Sequence, residues 1–597
     1  MTAPAVLVTD AHELAALGAI RSLGRAGYRV IAAAPPGAQP ASRWSRHVDR
    51  FESHPNAWRH QSAFADWLLE AVKRHEPAFV LPISEAAIVA AAAHRERIEQ
   101  TSVVLAPASN ALKYSLSKYW ASKAAVLAGL LIPQTLFVAS GSGDWQTEGL
   151  DELEFPVVVK TDNVLLNAEA YDKGRTRTVH CKEDLQLLLD EAREQGRSVI
   201  VQQRVPGFGA GAFLLRLDGE TLLEFAHERV HEVPYSGGWS AVRRAADDPA
   251  AIAAGKRLLQ AIDYDGVAMV EFRKTQNGDL LFMEINGRLW GSLALALHAR
   301  RDFPAVWVRR RDRRLVSPPA APTSKPRAVY CSNRYPGEFG FLLSVLRARG
   351  GGTDAAARPS LSRALREVVK YSIDPRVKHD HFWWTDPLPG LRQGAKFVAD
   401  MAAAARTRLA REVRGRQKAR WLTDLKRAAT REPAPAGAQS KLLFLCYGNI
   451  CRSPVAAAAA KRELPSAQID SAGFHPEVHR ESPANVIVAA RRIGLNMEGH
   501  RSQRVTGEMV AAADHILVMD LANYADFRRA FPDSAHKVLL LGTFASADSP
   551  EIRDPYGWSA AETLPVMQQI ETAVRSLRQW LQAGSQRRES NTFTAER

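Results

Sequence analysis

The run Cys446-Tyr447-Gly448-Asn449-Ile450-Cys451-Arg452-Ser453-Pro454 places a thiol and a guanidinium at the two ends of one short loop. The apolar residues Leu442 to Leu445 before it read as a short buried strand. Val455 and the alanines after it read as a helix with Pro454 in its first turn. A strand, a tight loop and a helix start aim several backbone N–H groups at one point, which is an anion cradle. Cys446 at its entrance would be a thiolate nucleophile, favoured by a helix N-terminus and a neighbouring cation. Arg452 can bind two phosphate oxygens at once. Ser453 is placed to hydrogen-bond the sulfur, and Gly448 and Asn449 tolerate left-handed backbone. This chemistry suits attack on a phosphate ester.

Such attack needs an acid for the leaving oxygen. Asp554, in Arg553-Asp554-Pro555-Tyr556-Gly557, supplies a candidate whose backbone Pro555 restricts. Tyr556 could wall a pocket for an aromatic phosphate. A two-cysteine metal site would want more sulfur or imidazole at ligand spacing. A nucleotide P-loop ends in Lys-Ser/Thr, which Arg452-Ser453 does not.

A second chemistry sits in a predicted hairpin. Val267 to Phe272 and Leu280 to Ile285 flank Asn277-Gly278, a strong hairpin signal. With those two residues as the turn tip, Glu271 lies opposite Glu284, and Asn286 follows on the same face. Opposed like charges destabilise a sheet pair. A divalent cation between them, bridging to phosphates, is the expected remedy, and magnesium takes such oxygen ligands. Arg288, one strand step further, could reach a reacting group.

Residues 441 to about 582 resemble a bacterial low-molecular-weight protein tyrosine phosphatase. Asp470-Ser471-Ala472-Gly473, Gly499-His500-Arg501-Ser502, Val518-Met519-Asp520 and Asp554-Pro555 fall in that family's order. The resemblance implies Cys446 as nucleophile, Arg452 as phosphate ligand and Asp554 as general acid. It implies Tyr447, Gly448, Asn449, Ile450, Cys451 and Ser453 as the phosphate loop, held by Asn449, Ser453 and Ser471, with no cofactor. Cys451 is read either as an inert packed thiol or, as often in the family, as the partner of Cys446 in a reversible disulfide.

Residues 1 to about 310 resemble the ATP-grasp superfamily, in its carboxylate–amine ligase and carbamoyl-phosphate-synthase-like branch. Met283 to Ser292 resembles the metal-binding strand, and Ser117-Lys118 before Gly129 and Pro133 a further family segment. The resemblance implies ATP as substrate, bound by Lys118, Lys160, Gln202, Gln203 and Val205. It implies one or two magnesium (or manganese) ions on Glu271, Glu284 and Asn286, with Arg288 stabilising phosphoryl transfer. Arg229 and Pro234 to Gly238 match a basic loop near the acceptor. Gly174 alone remains of a glycine-rich cover, within Ala170 to Arg177. Gln203 and Ser117 depart from the usual glutamate and aspartate.

The elements that must position these residues are α/β throughout. Ala5 to Val8, Val30 to Ala33, Phe79 to Pro82 and Val103 to Leu105 alternate with helices, the pattern of a parallel sheet. The expected organisation is a pre-ATP-grasp α/β domain over 1–112 and an ATP-grasp α+β domain over 113–316. A helical extension with a basic linker follows over 317–439. A Rossmann-like phosphatase with a central parallel sheet fills 440–584, before a disordered polar tail, 585–597. Pro433 to Gln439 reads as the final linker. His379 to Pro389 is read as a packed aromatic cap rather than a metal site.

Length and composition limit the partners. The 597 residues are 46% hydrophobic and 24% charged, with four cysteines. No stretch approaches the roughly 20 apolar residues of a membrane span, and the cysteines are too few for a disulfide framework. The cytoplasm is the expected compartment. The net charge of +15 concentrates from Arg406 to Arg431, where Leu409, Val413, Trp421 and Leu425 share a helical face. That segment is either a solvated helix closing the preceding domain or one making peripheral contact with an anionic membrane or a phosphoprotein. It lacks the aromatic interleaving of a nucleic-acid surface. The two resemblances imply as partners a phosphotyrosine protein or aryl phosphate, and a small carboxylate and amine. An ATP-binding regulator that does not ligate, and a membrane-surface scaffold, stand as alternatives.

Overall fold

A computed structural model describes residues 3–138, 153–162, 164–166, 170–172, 174–315, 326–347, 358–431, 433, 440–545 and 549–595. The chain divides into two compact units, Met1–Met401 and Ala402–Arg597. Most of the predicted linkers, at 317–325, 350–352 and 434–439, lie outside the described residues. So does part of the expected glycine-rich cover.

The first unit contains three larger sheets. The first is parallel, in the order Arg50–Ser53, Arg29–Ala34, Ala5–Val8, Phe79–Leu81, Val103–Val104. These are the strands expected from the apolar runs. Both faces of the central strand are covered, so Val6, Leu7 and Val8 are fully buried. The second sheet is antiparallel, in the order Thr176–Val179, Val157–Thr161, Val199–Gln203, Thr135–Val138. Val157, Val159, Val199 and Val201 pack against the helix Lys182–Glu194 through Leu185 and Leu189. Alternation therefore turns Lys160 and Gln202 to the opposite face.

The third sheet has seven strands and begins with the predicted hairpin, Leu280–Asn286 paired with Gly266–Lys274. Its turn differs from expectation. Thr275 N–H bonds Asp279 O at 3.0 Å, and Gly278 takes φ +92°, so three residues rather than two form the loop. The register next to the turn accordingly runs Lys274 to Leu280 and Phe272 to Phe282. A bulge at Met283 then moves it by one, and Glu271 faces Glu284 after all. The two one-residue shifts cancel.

The second unit has a four-stranded parallel sheet, in the order Gln468–Gly473, Lys441–Cys446, His515–Val518, Val538–Leu540. The helix Arg452–Glu463 lies against it through Val455, Ala456, Ala459 and Ala460, small residues that permit close approach. The basic segment is helical as expected, within Leu388–Thr430. Leu409 and Val413 are exposed there, while Leu425 is buried in the core of the second unit. The closing helix runs Ala560–Ala595, so residues 585–595 of the expected disordered tail continue it, and the last two lie outside the described residues. Gln, Arg and Glu are good helix formers, and one glycine costs only about 1 kcal/mol.

Candidate active sites

Cys446 ends the strand Lys441–Cys446 inside the parallel sheet of the second unit, and the loop after it closes onto its sulfur. The Ser453 hydroxyl lies 3.1 Å from Cys446 Sγ, and the Asn449 backbone N–H points at it from 3.2 Å. Asn449 has φ +51°, a left-handed conformation that asparagine tolerates better than most residues. Its side chain fixes that shape. Nδ2 donates to Ser453 Oγ at 3.0 Å and Ser471 Oγ at 3.1 Å, while Oδ1 accepts from Gln503 N–H at 2.9 Å. His500 Nε2 meets Asn449 O at 2.7 Å, and Arg480 Nη2 donates to Gly448 O at 2.7 Å. Tyr447 and Tyr556 are exposed, while Ile450 is buried.

Gly473 backs this loop at close quarters. A Cβ there would stand 2.7 Å from Tyr447 O and 2.9 Å from Asn449 N, so no side chain fits without moving the cradle. Gly473→Ala is therefore expected to lower kcat/KM on an aryl phosphate at least roughly tenfold, and to cost about 1–3 kcal/mol of stability. Initial rates beside a melting curve check both.

Arg452 is almost fully buried and already ligated. Nη1 donates to Asp520 and to Ile552 O, and Nη2 donates to Asp554 Oδ2 at 2.7 Å. Among the described residues, its buried Nε has no partner. The acid expected at Asp554 thus sits on Arg452, the cation expected to bind phosphate. Burial pushes the Cys451 thiol up to about 12, with Asp554 and Cys446 adding to the effect. Cys451 is thereby held as a neutral thiol in the core.

Asp520, Gln503, His500 and Arg480 were not among the predicted site residues. Two of them lie in segments already matched to the family, Val518-Met519-Asp520 and Gly499-His500-Arg501-Ser502. Nothing local revealed what they touch.

In the first unit, Lys118, Lys160, Glu271, Glu284, Asn286 and Arg288 come together. Arg229 Nη2 lies 2.7 Å from Glu271 Oε1, and Lys118 Nζ lies 3.9 Å from Glu284 Oε2. Asn286 Nδ2 donates to Glu284 Oε1 at 3.1 Å. Burial pushes Glu284 up, but Lys118 and Lys160 outweigh it and hold the carboxyl at about 2. Burial raises Glu271, and Arg229 opposes that rise. Burial lowers Lys160 to about 8, although Glu284 favours its charged form. Arg288 is held by Glu85 Oε1 at 3.3 Å and Asn286 Oδ1 at 3.4 Å.

Two carboxylates and an amide oxygen on one strand pair are a donor set that fits magnesium completed by phosphate oxygens. Among the described residues, no group of three or more His, Cys, Asp or Glu could hold a metal. His379 and His381 thus join no such group, and Trp383 of that segment is buried in the core.

The expected adenine hinge is less uniform. Gln202 is buried, with Nε2 on Thr135 Oγ1 at 3.0 Å and Oε1 unpartnered. Gln203 instead grips the Glu154 backbone, donating to its O at 2.9 Å and accepting from its N–H at 3.0 Å. Val205 lies half-buried beyond the strand end. Asp162 was missed by sequence reading. It accepts from Ser117 Oγ and from Lys118 N–H at 2.8 Å, so its carboxylate joins Ser117 in capping the helix Lys118–Leu127.

Residues 441–587 match the family model for low molecular weight phosphotyrosine protein phosphatases. The low molecular weight protein-tyrosine-phosphatase Etp of Escherichia coli K12 is 33% identical over 117 residues, which are 20% of this chain and 78% of that protein. A probable member from Ralstonia nicotianae, EpsP, is 38% identical over 19% of this chain and 77% of its own. A protein-arginine-phosphatase from Geobacillus stearothermophilus is 29% identical over 24% and 96%. Among solved structures, an N5-carboxyaminoimidazole ribonucleotide synthetase with ADP aligns with 55% of this chain and 81% of its own, at 17% identity and a TM-score of 0.40. The family model matches the segment that carries the Cys446 loop, and with relatives this similar the chain belongs to the low molecular weight phosphotyrosine protein phosphatase family.

Proposed function

We propose that the second unit hydrolyses aryl phosphomonoesters through a cysteinyl-phosphate. The convergence of Asn449 N–H and Ser453 Oγ on Cys446 Sγ, where the loop runs into the helix Arg452–Glu463, carries this reading. The sulfur attacks phosphorus, the bond from phosphorus to the leaving oxygen breaks, and Asp554 gives that oxygen its proton. Water then attacks the phosphocysteine, Asp554 takes a proton from it, and phosphate and the thiolate are released. Arg452 binds the equatorial oxygens once the substrate displaces Asp554 from its guanidinium. The direct test is an acid-quenched mixture of Asp554→Asn enzyme and aryl phosphate. A phosphate adduct on Cys446 by mass spectrometry is expected, and its absence at every quench time sinks the mechanism. The nucleophile and three further free cysteines fit a reducing, cytoplasmic setting.

We further propose that the first unit is an ATP-dependent ligase joining a small carboxylate to an amine. Glu271, Glu284 and Asn286 would hold magnesium, which would shield the nucleotide's phosphate charge. Lys118 and Lys160 bind phosphate oxygens, and Arg288 lies one strand step beyond Asn286 to steady the transferring group. ADP release that requires both a carboxylate and an amine supports ligation. Nucleotide binding without such turnover would leave the regulatory reading.

The Lys160 ammonium gives this reading a pH signature. It is charged below about 8 and loses its proton above that value. Binding of nucleotide phosphates favours the charged form, so binding takes up a proton at higher pH. Mg-ATP affinity is expected to fall as pH rises through about 8 to 10. Lys160→Arg should flatten the decline in a calorimetric titration.

A further inference from the structure

A cavity of about 860 Å³ opens in the first unit beside the strand Val377–His379 and the first turns of the helix Leu388–Thr430. Neither proposed activity uses it. Its apolar wall is aromatic and aliphatic, with Tyr335, Ile373, Phe382, Trp384 and Leu391. Four of these are exposed although large and apolar, Tyr335 by 39%, Ile373 by 74%, Trp384 by 89% and Leu391 by 59%. A contiguous apolar patch of this kind marks a binding surface more often than a bare exterior.

The back of the cavity is firmly built. Arg21 donates to Asp380 O at 2.8 Å, His381 O at 2.6 Å and Asp386 Oδ2 at 2.8 Å. Arg243 pairs with buried Asp380. Trp383 donates its indole N–H to His379 O at 3.0 Å and packs on His298, ring centres 4.5 Å apart. Gly390 lets the helix touch the opposite wall, since a Cβ there would lie 2.6 Å from Phe382 Cα. The wall thus keeps its shape before anything binds, which spares a ligand the ordering cost.

The polar lining is cationic and incompletely partnered. Among the described residues, Arg334 and Lys378 form no ion pair with any carboxylate. Arg334 Nη2 is spent on Ser372 O and His379 Nε2, and Nε is buried without a partner. Asp374, the acid on the rim, is taken by Arg376 at 2.8 Å. Among the described residues, His379 Nδ1 and His298 Nε2 are also buried without partners. Burial lowers both imidazoles to about 4, so they add no positive charge at neutral pH. Unmatched buried polar atoms are uncommon in folded proteins, and three residues that carry them line this one cavity.

We propose that this cavity binds a small carboxylate with an aromatic or aliphatic body, its ring or chain between Trp384 and Ile373 and its carboxylate on Arg334 and Lys378. Arg334, which has no acidic partner among the described residues, offers its remaining Nη1 to one carboxylate oxygen, and the Lys378 ammonium meets the other. The volume suits a molecule of metabolite size. The positive lining disfavours amines.

Fluorine NMR on the full chain tests the assignment with 4-(trifluoromethyl)phenylacetate as probe and its neutral primary amide as control. Inorganic phosphate is kept in excess to fill the Cys446 cradle, and ATP is omitted so that the proposed ligase site cannot activate the carboxylate. Saturable binding of the acid is expected, with Kd weakened roughly tenfold, about 1.4 kcal/mol, by Trp384→Ala and by Arg334→Gln. The amide should bind weaker by a similar factor. Trp384 is largely exposed and Lys378 stands outside the buried network, so Trp384→Ala and Lys378→Gln keep the test open if Arg334→Gln does not fold. The proposal is overturned by non-saturating binding, by equal affinity for acid and amide, or by unchanged Kd in both Trp384→Ala and Lys378→Gln.

Discussion

Cys446→Ser is expected to bring hydrolysis of an aryl phosphate below detection, while Asp554→Ala retains a trace. The serine hydroxyl keeps the hydrogen bonds around Sγ but is a far weaker nucleophile at neutral pH. A general acid contributes roughly 10²–10⁴-fold. The loss in Asp554→Ala should therefore shrink as the leaving group becomes a better one and needs less protonation. The geometry adds a second signature. Asp554 occupies Arg452 Nη2 in the free protein, so substrate phosphate must displace it. Removing the carboxylate removes both that competition and a negative charge, so kcat should fall with KM unchanged or lower. Steady-state kinetics across phenyl phosphates of graded leaving-group pKa separate these effects. Full activity in Cys446→Ser, or an Asp554→Ala defect confined to KM, would contradict the assigned roles.

Mg-ATP is expected to raise the melting temperature of the full chain, and Glu284→Gln and Glu271→Gln to abolish most of that shift. A ligand at a hundred times its Kd stabilises by about 2.7 kcal/mol, which a melting curve detects readily. Sequence alone implies that deleting one carboxylate relieves repulsion and steadies the hairpin. The structure changes that expectation. Arg229 lies 2.7 Å from Glu271, while Lys118 and Lys160 hold Glu284 ionised, so the pair is already compensated without metal. Neither glutamine variant should melt appreciably higher than the parent without nucleotide. Glu271→Gln leaves Arg229 with Glu232 at 3.4 Å, so a buried cation is not stranded. Undiminished Mg-ATP shifts in both variants, with phosphatase turnover intact, would make the carboxylate pair a structural feature only.

The phosphatase loop was legible because its chemistry is local. Cys446, Asn449, Arg452 and Ser453 lie within eight consecutive positions, and a strand, a tight turn and a helix start bring them together whatever else folds around them. The parallel sheet of the first unit was legible for a similar reason, since short apolar runs alternating with helices admit few arrangements. Opposition of Glu271 and Glu284 was read correctly by an incomplete route. A turn can be inferred from Asn277-Gly278, whereas a bulge at Met283 answers to packing on the sheet faces and leaves no local signal.

Other features were decided only by tertiary structure. Asp520 and Asp554 meet on Arg452 from 68 and 102 residues away. Asp162 caps a helix that begins 44 residues before it, and the wall around Arg334 depends on Arg21, 359 residues from Asp380. Residue type and spacing describe what a side chain can do and which face it occupies over a few turns. Which distant polar group satisfies it depends on how the sheets and helices pack. Only that packing determines which buried donors find partners and which, like Arg452 Nε and Arg334 Nε, are left without one.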